Sequence, residues 1–300
     1  MLIISINVLL LYAILSSSYK LVMHVPIVFA GIAPHGDEII PVLHRVIDEE
    51  SKKLMDAMIK FAEELVRRDP ETIIIATPHN LRITHHIGVI MTSYGEGEFR
   101  TEYGSIHIRV PCNQELAKEI YEEANRAGLP VVGVNYGVAS GDLSTISLDW
   151  GALIPLWFIK EEYERWNRKL PPIIVVTPSR EVPREELVRF GEVIVDVVER
   201  RNIRVAFIAS ADHAHTHDPR GPYGFDENAR IFDTKLVSII QENKLEELLK
   251  IPQEMIERAK PDSVWQLLIL HGVLKKTSLR LQTLTYACPT YFGMLVAYYL

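Results

Sequence analysis

Apolar runs of strand length alternate along the chain with stretches whose apolar residues recur at helical spacing. Residues 25–33 (VPIVFAGIA) read as a strand that runs into the polar loop PHGD. Over 48–68, Leu54, Met55, Met58, Ile59, Phe61, Ala62 and Leu65 fall on one helical face. Asp69-Pro70 ends that helix, because proline disfavours helical backbone in the residue before it. Residues 71–80 (ETIIIATPHN) predict a buried strand ending at a second loop. Residues 87–93 and 105–111 read as a strand pair separated by the polar YGEGEFRTEYG. The pattern then predicts a helix over 113–127, a strand over 129–135, a helix in ALIPLWFIKEEYERW, a strand over 171–179 and a helix over 183–201. A strand over 203–215 runs into a histidine-rich loop. Helices follow over 233–248, 252–259 and 262–275, and LTYACPTYFGMLVAYYL returns to the sheet.

This alternation predicts an α/β fold, with a mixed, mostly parallel central sheet flanked by helices. No Pro/Gly/Ser linker divides the chain, so 23–300 is read as a single domain. In such sheets the ligand site lies beyond the carboxyl ends of the strands, and the loops after strands are where chemistry is sought. Residues 1–22 stand apart. Their apolar run LIISINVLLLYAIL is short for a membrane span and lacks a cationic flank. It reads as an extension upstream of the working domain, with a signal or anchor and an extra packed element as alternatives.

The net charge of −7 argues against a nucleic-acid backbone or a stable membrane surface as partner. Cys112 and Cys288 make neither a disulfide framework nor a thiolate cage, so a reducing, cytoplasmic setting is expected. P-loop, dinucleotide-binding, nucleophile-elbow and HExxH motifs are all absent from the sequence.

Three strand-end loops carry histidine: APHGD (33–37), TPHN (77–80) and SADHAHTHD (210–218). Neutral imidazole is the commonest metal ligand near pH 7, and side chains at neighbouring strand ends converge on one point. His35 and His79, each after a proline, are therefore read as half of a metal site. Asp37 follows His35 and reads either as a carboxylate orienting a ligand ring or as helix-terminal charge. His85 and His86 either enter a substrate cavity or begin the next strand, whereas His44 reads as structural and His24 and His107 as strand or edge residues. In extended backbone His213, His215 and His217 would face one way beside Asp212, and one of them is a candidate general acid or base. Asp149 reads as a helix cap, with Gly151 permitting close approach. Asp262 reads either as a cap or as the carboxylate of a two-His-one-carboxylate triad, a donor set that suits ferrous iron with open positions.

PHGD, PHN, LDWGALIPL, SADHAH, GPYGFD and a late helix ending in HGVL resemble, in order and spacing, the LigB-type superfamily of class III extradiol dioxygenases. The resemblance spans roughly 25–300. Its relatives include ring-opening dioxygenases of protocatechuate and of dihydroxyphenylalanine, and the non-enzymatic-looking Memo group. It implies an Fe(II) site (zinc being possible), a small aromatic diol and O2 as substrates, and often a homo-oligomer. By motif, His35 and His79 would be ligands and His215 the acid/base. The family's third ligand falls at the start of the last long helix, which points to Asp262, with Glu257 as a fallback. Asp37, His85, His86, Trp150, Asp212, His213 and Tyr223 would surround the substrate. Trp150 stands where many ring-cleaving members have histidine, which keeps a Memo-like binding protein as an alternative; a zinc-dependent hydrolase on the same scaffold is another.

Overall fold

The computed structural model describes residues 26–300, so the readings of 1–22 and of His24 lie outside the described residues. The first strand, β1 (Ile27–Ala33), is followed by α1 (Glu49–Arg67), whose Asp48 cap accepts from the amides of Glu50 and Ser51. Then come β2 (Thr72–Ala76), β3 (Ile87–Ile90), β4 (Tyr94–Arg100), β5 (Ser105–Pro111), α2 (Gln114–Arg126), β6 (Val131–Val134) and β7 (Thr145–Ser147). The second half holds α3 (Trp150–Arg165), β8 (Ile173–Pro178), α4 (Arg184–Arg201), β9 (Val205–Ser210), α5 (Asn228–Gln241), α6 (Gln253–Ala259), α7 (Val264–Lys275), β10 (Leu281–Ala287) and β11 (Met294–Tyr299).

The main sheet has the order β10-β11-β1-β9-β2-β8-β3-β6. Strands β1, β9, β2 and β8 are mutually parallel, while β11 joins β1 and β3 joins β8 antiparallel. The expected mixed, mostly parallel sheet flanked by helices is therefore present. The central strands are apolar throughout because both faces are covered. On β2, Ile74 packs on one side with α4 and α7, and Ile73 and Ile75 pack on the other with α1 and α3. Where α4 crosses α7, a Cβ on Gly191 would strike Ile269 O and one on Gly272 would strike Val188 O, so both glycines are needed for the approach. Among the described residues, no helix is long and apolar enough to cross a membrane.

One expectation fails. The segment read as a polar connection is itself a strand: β4 pairs antiparallel with β5 and parallel with β7 in a separate small sheet. Strand β3 instead joins the main sheet. The inward positions of β4 include Gly95 and Gly97, where any Cβ would run into Leu148. Glycine replaces the apolar side chains that would have marked the alternation.

Candidate metal centre

Adjacent parallel strands deliver the first parts of the site. β1 ends just before His35, β2 just before His79, and β9, which lies between them, ends at Ser210. The fourth contributor, Asp262, precedes α7 and reaches in from the helical layer. His35 Nε2 lies 3.0 Å from His79 Nε2 and 3.3 Å from Asp262 Oδ2, and His79 Nε2 lies 3.1 Å from the same carboxylate oxygen. These three side chains form a group that could hold a metal ion.

The tautomer of His35 follows from a chain that begins in α3. Pro155 lies inside that helix and has no N–H, so the carbonyl of Gly151, four residues earlier, is left without its helical partner. The Ser210 hydroxyl donates to that carbonyl. Its oxygen is then free to accept from His35 Nδ1–H, 2.9 Å away. With Nδ1 committed to Ser210, Nε2 is the nitrogen that faces His79 and Asp262, where it takes either a second proton or a metal. Asp212 completes the shell: its Oδ1 accepts from the His35 amide at 3.1 Å, and its Oδ2 lies 3.2 Å from His35 Nε2. The Asp212 amide donates to Asp262 Oδ1 at 3.0 Å.

Electrostatics mark the group as built for a cation. Burial alone would lower the pKa of His35, but the carboxylates of Asp212 and Asp262 outweigh it and raise it to about 9. Burial raises Asp212 to about 7. Asp262 moves the other way: burial opposes its ionisation, yet His35, His79 and His215 together hold it well below the usual carboxylate range. Without a metal, His35 and Asp212 hold protons beside the ionised Asp262, and a divalent ion would replace them.

A cleft of about 770 Å³ opens over the group, with His79, Asp262, His215, Trp150 and Tyr223 in its wall. His215 Nδ1–H donates to the His213 carbonyl at 2.6 Å, which leaves Nε2 unprotonated and facing Asp262 Oδ2 at 3.9 Å. Its ring stacks on Phe292 at 5.3 Å and meets Tyr223 edge-on at 5.9 Å. Burial lowers its pKa, so the imidazole is neutral near pH 7 and able to take a proton. The indole of Trp150 lies 4.4 Å from the His79 ring and remains 46% exposed, so it forms one side of the cleft rather than a plug.

Several sequence-level candidates lie elsewhere. Asp37 pairs with His44 at 2.9 Å, and it is Asp212 that lies against His35. His85 and His86 are not in the cleft wall; the His85 amide bonds to Ser179 and the His86 ring to the Thr84 carbonyl. His213, His215 and His217 do not share a face, because their amides bond in turn to Gly293, Ala259 and Tyr291. His213 is fully buried with neither ring nitrogen partnered, and His217 binds Asp233 at 2.7 Å. Asp262 caps nothing, and the residue at the N-cap position of α7 is Ser263, without a side-chain cap bond. Glu257 lines the cleft but is bonded by Gln253 outside the metal group. Asp149 is the expected cap of α3, accepting from Ala152, and it also accepts from Thr77 at 2.6 Å and Asn80 at 2.8 Å, tying the loop after β2 to the helix. The sequence reading missed the role of Ser210; its place as the last residue of a buried strand beside two histidine loops was the available signal.

Residues 21–298 match the family profile described as the catalytic LigB subunit of aromatic ring-opening dioxygenase. Protein CA_C1420 of Clostridium acetobutylicum is 25% identical over 256 residues, covering 85% of this chain and 53% of that protein. The chain thus spans about half the length of this curated relative. The crystal structure of the uncharacterized protein JW3007 from Escherichia coli K12 superposes with a TM-score of 0.57 at 15% identity, over 90% of this chain and 98% of that one, a likeness of fold. With the profile matching nearly its whole length, the chain belongs to the LigB family of aromatic ring-opening dioxygenase subunits.

Proposed function

We propose that the protein is a non-haem Fe(II)-dependent extradiol dioxygenase that opens the ring of a small catechol-type diol with O2. The donor spacing at His35, His79 and Asp262 carries the reading. With metal–ligand bonds of about 2.1 Å, donors on one octahedral face sit about 3.0 Å apart and tetrahedral donors about 3.4 Å. Two of the separations here, 3.0 and 3.1 Å, match the facial arrangement that leaves positions open, while the third, 3.3 Å, lies nearer the tetrahedral value. Bound ferrous iron would supply sites for both the diol oxygens and O2.

The chain's own residues would do the rest. His35 and His79 would ligate through Nε2, and Asp262 through Oδ2. His215 Nε2, unprotonated and turned to the centre, would take a hydroxyl proton from the diol and return it later. Trp150 and Tyr223 would flank the ring. Room in the cleft beside Trp150 favours turnover over a binding protein whose pocket is blocked.

The test is oxygen uptake by anaerobically Fe(II)-loaded protein with a panel of catechols. Uptake with appearance of a ring-opened product supports the reading. Full iron occupancy with no turnover across the panel sinks it, and stoichiometric zinc after native purification without oxygen uptake would replace it with hydrolytic chemistry.

A further inference from the structure

Asp233, on α5, is a buried carboxylate that lies outside both the metal group and the cleft wall. Three donors meet it. The Ala214 amide donates to Oδ1 at 3.0 Å, the Tyr286 hydroxyl on β10 donates to Oδ2 at 2.6 Å, and His217 Nε2 lies 2.7 Å from that second oxygen. A Cβ on Gly293 would strike Oδ2 and crowd the Tyr286 hydroxyl, so the glycine just before β11 is what admits the carboxylate.

Any of these bonds would tie α5 to its neighbours, but the Oδ1 bond also reaches His215. The Ala214 N–H belongs to the peptide whose carbonyl is that of His213, and this carbonyl accepts His215 Nδ1–H at 2.6 Å. A trans peptide sets its N–H and C=O on opposite edges. One peptide group therefore stands between the carboxylate and the imidazole, hydrogen-bonded to each. Bonds in such a chain polarise one another: charge at Oδ1 draws on the N–H and makes the carbonyl oxygen a stronger acceptor. A stronger acceptor holds the proton on Nδ1 and keeps Nε2 turned toward Asp262 Oδ2. Backbone bonds brace the same peptide, with His213 N–H donating to the Gly293 carbonyl at 2.8 Å and Gly293 N–H to the Ala214 carbonyl at 3.0 Å.

We infer that Asp233 is a positioning residue that acts on His215 through the 213–214 peptide, holding its tautomer and orientation as a carboxylate bonded directly to an imidazole would. Tyr286 and His217 hold the far oxygen and so aim Oδ1 at the peptide. The inference rests on the ring-opening reading only where turnover is measured. The experiment has two parts. Histidine-selective 15N NMR of the metal-free full chain at pH 8, with His215→Gln for assignment, reads the ring itself. Wild type shows His215 protonated on Nδ1, with a downfield Nδ1–H resonance. That resonance moves upfield and exchanges faster with water in Asp233→Asn, and it stays in Tyr286→Phe, which keeps the Oδ1 bond. Gly293→Ala, whose methyl would press on Oδ2, reproduces the upfield shift by a second route should Asp233→Asn not fold. Oxygen uptake by Fe(II)-loaded protein reads the consequence. A carboxylate bonded directly to a catalytic imidazole is worth about 10⁴-fold in kcat; with a peptide between, Asp233→Asn lowers kcat by about 10–100-fold and leaves KM within about twofold. In a His215→Gln background the same substitution lowers kcat no further. A His215 proton on Nε2, a resonance unmoved in Asp233→Asn and Gly293→Ala, an undiminished loss in the His215→Gln background, or a loss in Tyr286→Phe as large as in Asp233→Asn each overturns the inference. The expected NMR shifts, together with an Fe(II)-loaded wild type that takes up no oxygen with any catechol, support the link from Asp233 to His215 while removing the ring-opening reading.

Discussion

His213 sets a measurable limit on stability in acid. Its imidazole is fully buried and neither nitrogen has a partner, and burial pushes its pKa from 6.5 down to about 4. The folded value lies below the unfolded one, so as pH falls the unfolded chain takes the proton first. The stability that His213 contributes is therefore present above 6.5 and is lost as pH falls through the window from 6.5 to about 4. At pH 5 this linkage amounts to about 2 kcal/mol lost relative to pH 8. His213→Leu keeps a similar volume and abolishes both the titration and the unpartnered nitrogens. Urea unfolding of wild type and variant in metal-free form, at pH 8 and pH 5 and fixed ionic strength, reads the effect. The other titrating groups are common to both proteins, so their pH dependence largely cancels in the difference. The variant gains about 2 kcal/mol on wild type between pH 8 and pH 5, and parallel pH dependences would refute the reasoning.

Other outcomes follow from the same geometry. Asp262→Asn removes the charged donor facing both histidines and lowers Fe(II) affinity by more than about a hundredfold in anaerobic equilibrium dialysis. Ser210→Ala leaves His35 Nδ1 without its acceptor, and the same dialysis shows a loss of about 10–100-fold. His215→Gln keeps iron binding but lowers kcat by about 10²–10⁴-fold; in wild type kcat falls only below the ordinary histidine range, since burial lowers this pKa, and that acid limb is absent in the variant. Gly272→Ala drives a methyl into the Val188 carbonyl and lowers Tm in calorimetry, by roughly 2–4 °C for each kcal/mol lost.

Much of this was legible in the chain because strand and ligand are adjacent in sequence. TIIIA and VAFIAS are apolar on both faces, which only a covered parallel strand needs, and His35 and His79 sit two and three residues past the ends of such strands. Asp262 lies 227 residues from His35, and its two readings could be separated only by the fold. The role of Ser210 depends on a missing N–H at Pro155 and a carbonyl at Gly151, a relation no local pattern carries. Of the two readings of Asp37, the helix-terminal one holds: it lies in the first turn of a short 3-10 helix and pairs with His44. Alternation misled at His213–His217, where tertiary partners on two sides override extended geometry. Strand β4 hid behind glycines that serve contact with Leu148.

The proposed function depends most directly on three donors meeting at one ion. Diffraction from Fe(II)-loaded crystals at the iron absorption edge tests it. A single anomalous peak is expected about 2.0–2.3 Å from His35 Nε2, His79 Nε2 and Asp262 Oδ2. A loaded protein with no peak among these atoms, or with its iron held elsewhere, would contradict it.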